Sequence, residues 1–151
     1  MTNEELKTHI FLIHPETVFN ESGEFLEIQI SSAHILPLMQ KLKSDELTGF
    51  DYLFCLTCID RIDKLEMVYH LLSKKHKHIL VVKSVIDNIE NPQTESISHL
   101  WKTAEFHERE VYDLFGVIFN NHPDLRRIFL DEDWKGHPLR KNYSDPNMIE
   151  L

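Results

Sequence analysis

Residues 52–86 read YLFCLTCIDRIDKLEMVYHLLSKKHKHILVVKSVI, and this stretch decides the architecture. Tyr52–Ile59 is a strand-sized apolar run. Leu65, Met67, Tyr69 and Leu71 then alternate with Glu66, Val68, His70 and Leu72, the two-residue period of a pleated strand. After the polar turn Ser73-Lys-Lys-His-Lys, His78–Ile86 supplies a third run. Connections this short join neighbouring antiparallel strands, because a parallel return needs a dozen or more residues. The expectation is a three-stranded meander.

Working outward, Ser31 or Ser32 is a plausible N-cap for a helix through about Lys43. Ile35, Leu38, Met39 and Leu42 follow three-and-four spacing, and Pro37 falls in the first turn. Phe25, Ile28 and Ile30 read as a strand after a turn at Glu21-Ser22-Gly23, and Ile10–Ile13 as a further short strand. On the far side, Asn91-Pro92 breaks the chain, and a helix is predicted from about Ser96 to Leu114. Leu100, Ala104, Val111 and Phe115 form its apolar stripe, and Gly116 is placed for a left-handed cap. These elements predict an α+β fold: a small, mainly antiparallel sheet with helices packed on one face. The core is expected over residues 1–115. An extended C-terminal arm over 116–151 follows, where Pro123, Gly136, Pro138 and Pro146 interrupt a segment dense in Asp, Arg and His. That arm has too few apolar residues in any one period for a core of its own. It reads as a strip that lies against something else.

Composition narrows the function. A chain of 151 residues with 42% hydrophobic and 27% charged residues suits one folded domain. Its 25 acidic against 16 basic residues, a net charge of −9, argue against nucleic-acid binding and against docking on anionic lipid. No apolar run approaches the ~20 residues that span a bilayer, and the polar start Met1-Thr-Asn-Glu-Glu is unlike a secretory signal. Any membrane association is therefore expected to come through another protein. With two cysteines there is no disulfide framework, and a reducing compartment is the simplest reading.

Several constellations invite chemistry. Cys55 and Cys58 form a C-x-x-C, but three residues apart in a strand they point to opposite faces, so they read as small hydrophobes rather than joint ligands. His70, His76 and His78 gather near Lys74, Lys75 and Lys77, which reads as a solvated hairpin rather than a metal site. The four glycines are too scattered for a phosphate loop or dinucleotide fingerprint, and no serine occupies a nucleophile turn. Catalytic, cofactor and metal residues are therefore expected to be absent from this chain. Within 108–116, Arg109 and Asp113 share a helix face at i,i+4, whereas Glu110 points elsewhere. Taken alone, this is an ordinary solvated pair worth tenths of a kcal/mol. The downstream paired arginines, tryptophan and prolines instead read as a docking strip, since Arg and Trp are enriched at interface hot spots and guanidinium forks suit carboxylates.

The blocks EREVYDLFGVIFNNHPDLRRIFL (108–130) and DEDWKGHPLRKNY (131–143) resemble the signature of the thirty-kilodalton, or C-type, subunit of respiratory complex I. Phe50–Asp60 is similar, less specifically, to that family's central strand. The resemblance implies a non-catalytic structural subunit in the peripheral arm of a proton-translocating NADH–quinone oxidoreductase. FMN, iron–sulfur clusters and quinone would be carried by partner subunits. It further implies docking on the large, hydrogenase-like quinone-site subunit, contact with other peripheral-arm subunits, and a place on the cytoplasmic side of the bacterial inner membrane. Interface roles carry over to Glu108, Arg109, Glu110, Asp113, His122, Pro123, Asp124, Arg126, Arg127, Asp133, Trp134, Gly136, His137, Pro138, Arg140 and Lys141. The rival within this lineage is the equivalent subunit of a membrane-bound hydrogenase or another donor-dependent relative. Rivals from other classes are a free-standing enzyme using the histidines and acids of 107–137, and a small redox protein using Cys55 and Cys58.

Overall fold

A computed structural model describes residues 2–20 and 23–149 of the chain. Among the described residues the order is α1 (Asn3–Ile13), β1 (Val18–Asn20), β2 (Leu26–Ser31), α2 (Ile35–Ser44), β3 (Tyr52–Asp60), β4 (Leu65–Ser73), β5 (His78–Ile86), β6 (Gln93–Glu95), α3 (Ala104–Phe115) and β7 (Ile118–Asn120). The meander forms as expected, with β3, β4 and β5 antiparallel neighbours. Strand β2 joins the free side of β5 in parallel, and β1 pairs with β2, giving the order β1-β2-β5-β4-β3.

One face of this sheet makes the core. Leu26, Ile28 and Ile30 of β2 lie beside Leu80, Val82 and Ser84 of β5. Leu80, Val82 and Ile86 in turn face Leu71, Tyr69 and Leu65 of β4. The buried residues of the helices join the same cluster: Leu6 and Ile10 of α1, Ile35, Leu38, Met39 and Leu42 of α2, and Ala104, Val111 and Phe115 of α3. The opposite face carries ion pairs, Glu27 with Lys83 at 2.8 Å and Arg61 with Glu66 at 3.0 Å. The helices therefore cover one face of a mainly antiparallel α+β sheet. A bulge between Leu53 and Cys55 lets both Leu53 and Leu56 face inward. Cys55 is paired with His70, and Cys58 with Met67 on the core side, so the two thiols occupy opposite faces. Burial pushes both thiols up, Cys58 to about 12, which leaves neither as a reactive thiolate.

Two expectations need correction. Ile10–Ile13 is not a strand but the last turn of α1. Thr2 and Glu5 form a capping box, with the Glu5 N–H donating to Thr2 Oγ1 and the Thr2 N–H to Glu5 Oε2. Leu6 and Ile10, one turn apart, are fully buried. The final helix starts at Ala104 rather than near Ser96. Gln93–Glu95 forms a parallel ladder with Ile118–Asn120, and the buried Ser96 and Ile97 lead into a turn at Ser98–Leu100. Past 115 the chain still contributes Val117 and Phe119 to the core, and Leu125 packs against it. The helix expected from Ser31 is preceded by a 3-10 turn over Ser32–His34, with Ser31 as its cap. The turn expected at Glu21-Ser22-Gly23 lies, at Glu21 and Ser22, outside the described residues.

If α1 is held by that buried pair, Ile10→Ala should lower stability by about 2–5 kcal/mol. Replacing the exposed Leu12 by serine should cost less than about 0.5 kcal/mol. Urea unfolding of the two variants checks both.

Candidate partner interface

The last four carbonyls of an α-helix have no partner inside the helix. In α3 these belong to Tyr112, Asp113, Leu114 and Phe115, and no basic residue lies in its last turn. Gly116, at φ +78°, donates its N–H to the Tyr112 carbonyl. The chain beyond supplies the rest. Arg127 Nη1 and His137 Nδ1 reach the Asp113 carbonyl at 3.0 Å each. The Leu139 N–H donates to Leu114 at 3.0 Å, and Arg140 Nη1 to Phe115 at 3.3 Å. The C-terminal segment is thus the cap of α3, and Arg127 and Arg140 set cations at the negative end of the helix. Gly116 is required twice over, since a Cβ there would also lie 2.6 Å from the His137 ring.

The Asp113 side chain anchors the same segment. It is fully buried, and its Oδ2 accepts consecutive N–H groups from Ile128, Phe129 and Leu130 at 3.1, 2.7 and 3.1 Å. Its Oδ1 accepts from Arg127 at 2.9 Å. Burial raises the carboxyl's pKa, but the Phe129 N–H, the Arg127 guanidinium and the other two amides outweigh it, so the net shift is downward. Arg127 also donates to the carbonyls of Trp134 and Gly136. Arg109 does not close an i,i+4 bridge to Asp113; it donates to the carbonyls of Arg126 and Arg127 at 3.1 and 2.9 Å. Further along, buried Asp60 at the end of β3 accepts the Lys141 N–H at 2.9 Å and lies 3.3 Å from Arg140. Arg140 also reaches the carbonyl of Ile89.

Glu108 differs. It is fully buried, accepts from Ser96 Oγ at 2.6 Å and the Ile97 N–H at 2.8 Å, and lies 3.8 Å from His122 Nε2. His122 Nδ1 takes the Asp124 N–H, so Nε2 carries the proton and donates to the Glu105 carbonyl. With burial dominant and Glu105 adding to it, the Glu108 carboxyl is pushed up to about 7.

Of the sixteen residues singled out by sequence, Glu108, Arg109 and Asp113 are buried. Arg127, His137 and Arg140 direct their polar groups back into the chain. Glu110, His122 and Pro138 are half-buried. Pro123, Asp124, Arg126, Asp133, Trp134, Gly136 and Lys141 face outward, with Arg126 paired to Asp124 at 3.0 Å. Two outward aromatics escape a reading by charge. Phe106 and Phe129 are 59% and 66% exposed, and with Thr103, His107, Glu110 and Ile128 they line a groove of 310 Å³ between α3 and the C-terminal segment. Phe106 was legible as an apolar residue lying off the helix's buried stripe.

This geometry belongs to a stretch that matches a known family. Residues 28–147 match the family model of the respiratory-chain NADH dehydrogenase 30 Kd subunit. The chain belongs to that family. It is 45% identical over 104 residues to the C subunit of NADH-quinone oxidoreductase from Chloroherpeton thalassium, across 68% of this chain and 43% of that protein. It is 42% identical over 124 residues to the C/D subunit of NADH-quinone oxidoreductase from Phocaeicola vulgatus, across 82% of this chain and 23% of that one. The chain therefore spans less than half the length of either relative. Among solved structures, a chain of an archaeal membrane-bound sulfane sulfur reductase shares the fold of this 30 Kd family member. Its TM-score is 0.80 at 23% identity, over 93% of this chain and 85% of that one. No helix among the described residues is long and apolar enough to cross a membrane.

Two consequences are measurable. Asp113→Ala leaves Arg127 and three amides without their acceptor, and should cost about 3–5 kcal/mol. Amide exchange at Ile128–Leu130 should accelerate more than in β4. Glu108 contributes in the opposite sense. Its folded pKa lies above the ordinary 4.5, at about 7. Below about pH 4.5 it costs nothing; stability then falls as pH rises to about 7, where the cost levels off. Glu108→Gln should flatten that decline, with the variant gaining on the wild type in urea midpoint above about pH 7 and matching it below about pH 4.5.

Proposed function

We propose that this chain is the non-catalytic, C-type scaffold of the peripheral arm of a proton-translocating NADH–quinone oxidoreductase. It docks on the large, hydrogenase-like subunit that shapes the quinone cavity and touches other peripheral-arm subunits. FMN, iron–sulfur clusters and quinone reside in those partners, and this chain carries no redox cofactor of its own. It reaches the membrane only through the complex, on the cytoplasmic side. The observation that carries the reading is the exposed Phe106–Phe129 groove, built on a segment fastened to α3 by its own charged side chains. Large aromatics held open beside buried guanidiniums make a preorganised anchor pocket. Family membership supports the assignment, and the joint C/D name of the Phocaeicola relative supports a D-type neighbour. The names of the relatives favour this reading over a hydrogenase-type one.

The contribution to turnover is positional. Electron transfer and quinone binding require partner subunits held in fixed geometry, and a rigid groove supplies that without touching a reacting atom. Alanine at Arg127 would confuse assembly with folding, because that guanidinium sits within the chain. The Phe106→Glu/Phe129→Glu double variant is cleaner, since both side chains are exposed. The isolated variant should melt within about 2 °C of the wild type, the shift expected of surface changes costing under about 0.5 kcal/mol. The yield of assembled complex should fall severalfold, while the complex that does form turns over NADH normally. Normal assembly with selectively lost turnover would contradict the scaffold role.

A further inference from the structure

We propose that His14, Glu16 and His34 bind a divalent first-row transition cation of the zinc class, stapling the end of α1 to the start of α2. These residues lie at the opposite end of the sequence from the groove, and the site does not depend on the scaffold reading. His14 follows the last residue of α1 in an extended conformation. Its carbonyl accepts the Thr17 N–H at 3.1 Å, which closes a four-residue turn with Pro15 in the second position. That turn is stiff, because proline presets the backbone angle there. It presents His14 and Glu16 on one side. His34 ends the 3-10 turn whose N-cap is Ser31, directly ahead of α2.

The donor atoms converge. One nitrogen from each imidazole and one carboxylate oxygen all lie within 4.8 Å of one another. Glu16 Oε2 is 3.3 Å from His34 Nδ1. A tetrahedral ion with bonds of about 2.0–2.1 Å separates its ligand atoms by about 3.3 Å, so this pair already stands at ligand spacing. The His14 and His34 rings are 5.2 Å apart and tilted by 55°, not stacked flat. Buried Thr17 places its Oγ1 3.2 Å from His14 Nδ1. That contact is the kind of second hydrogen bond that orients a metal-binding imidazole and leaves Nε2 to ligate. Two imidazoles and one carboxylate suit zinc, nickel, copper or iron rather than magnesium or calcium, and three protein ligands leave a fourth position for water. The Glu16 and His34 side chains are 74% and 46% exposed, so small rotations can close the remaining distances.

The histidines of the β4–β5 hairpin offer a contrast. His76 Nε2 is already bonded to the Glu46 carbonyl, and the His76 and His78 rings stack nearly parallel. The fold gathers a different set from the one that sequence proximity highlights. The test uses the full chain stripped with a chelator, titrated calorimetrically with zinc and, in parallel, with cobalt as a spectroscopic reporter of coordination number. The expected result is one equivalent of zinc, the intense visible bands of four-coordinate cobalt, and a thermal midpoint raised by zinc. His34→Ala and Glu16→Gln, both surface changes, should each weaken binding at least about tenfold, whereas His76→Ala should not. Binding that survives in the His14→Ala/His34→Ala double variant, or no saturable binding below millimolar zinc, would overturn the assignment.

Discussion

The end of α3 sets the terms for the whole C-terminal third. Beyond the Tyr112 carbonyl, which Gly116 caps, a helix that ends with three further unpaired carbonyls and no basic residue in its last turn must be completed from elsewhere. Residues 127–140 complete it with two guanidiniums, one imidazole and one amide. Because those polar groups point inward, the apolar side chains interleaved with them point out. Phe129 lies between amides that bind Asp113, and Trp134 belongs to the loop whose carbonyl accepts Arg127. Capping the helix and displaying an aromatic surface are thus one arrangement.

Three buried carboxylates show how donor supply decides the charge state. Asp113 collects three amides and a guanidinium, and Asp60 collects two amides with Arg140 beside it. Burial raises each carboxyl, and in each case the donors reverse the shift. Glu108 has one hydroxyl and one amide, with another glutamate one turn away, so burial prevails. The first two fasten the C-terminal segment to the helix and to β3, and they are charged where cations meet them. Glu108 instead holds Ser96 and Ile97, accepting one hydroxyl and one amide with a carboxyl pushed up to about 7.

The meander was legible because both its signals are local: period-two alternation over Leu65–Leu72 and turns too short for anything but antiparallel neighbours. The Gly116 cap was legible for the same reason. The start of α3 was not, because Ser96 and Ile97 are held by Glu108 of that helix, and the Ser96 N–H donates to the carbonyl of Asn120, which comes later in the chain. The helical start of the chain was legible in principle, since Thr2-x-x-Glu5 is a capping box visible in the sequence. In the candidate interface, spacing correctly put Arg109 and Asp113 on one face. Helical spacing reports neighbours on the helix, however, not the amides fifteen residues downstream that receive the carboxylate. The density of charge also masks Phe106 and Phe129, the residues left facing out.

That division bears on how such a segment can bind at all. Ordering a strip of backbone costs roughly 1–2 kcal/mol per residue. A strip that stayed loose until it met a partner would subtract that cost from affinity. Here Asp113, Arg109, Arg127 and Arg140 spend hydrogen bonds within the chain, so much of the ordering cost is offset during folding rather than at an interface. Charges used in this way cannot also be the strongest contacts to a partner. Under the proposed docking, recognition would fall to what they leave exposed: the aromatic groove, and rim charges such as Arg126 and Asp124, which are worth only tenths of a kcal/mol in water. The charged signature is an internal fastening, and under the proposed docking the binding energy would lie with the apolar residues it holds in place.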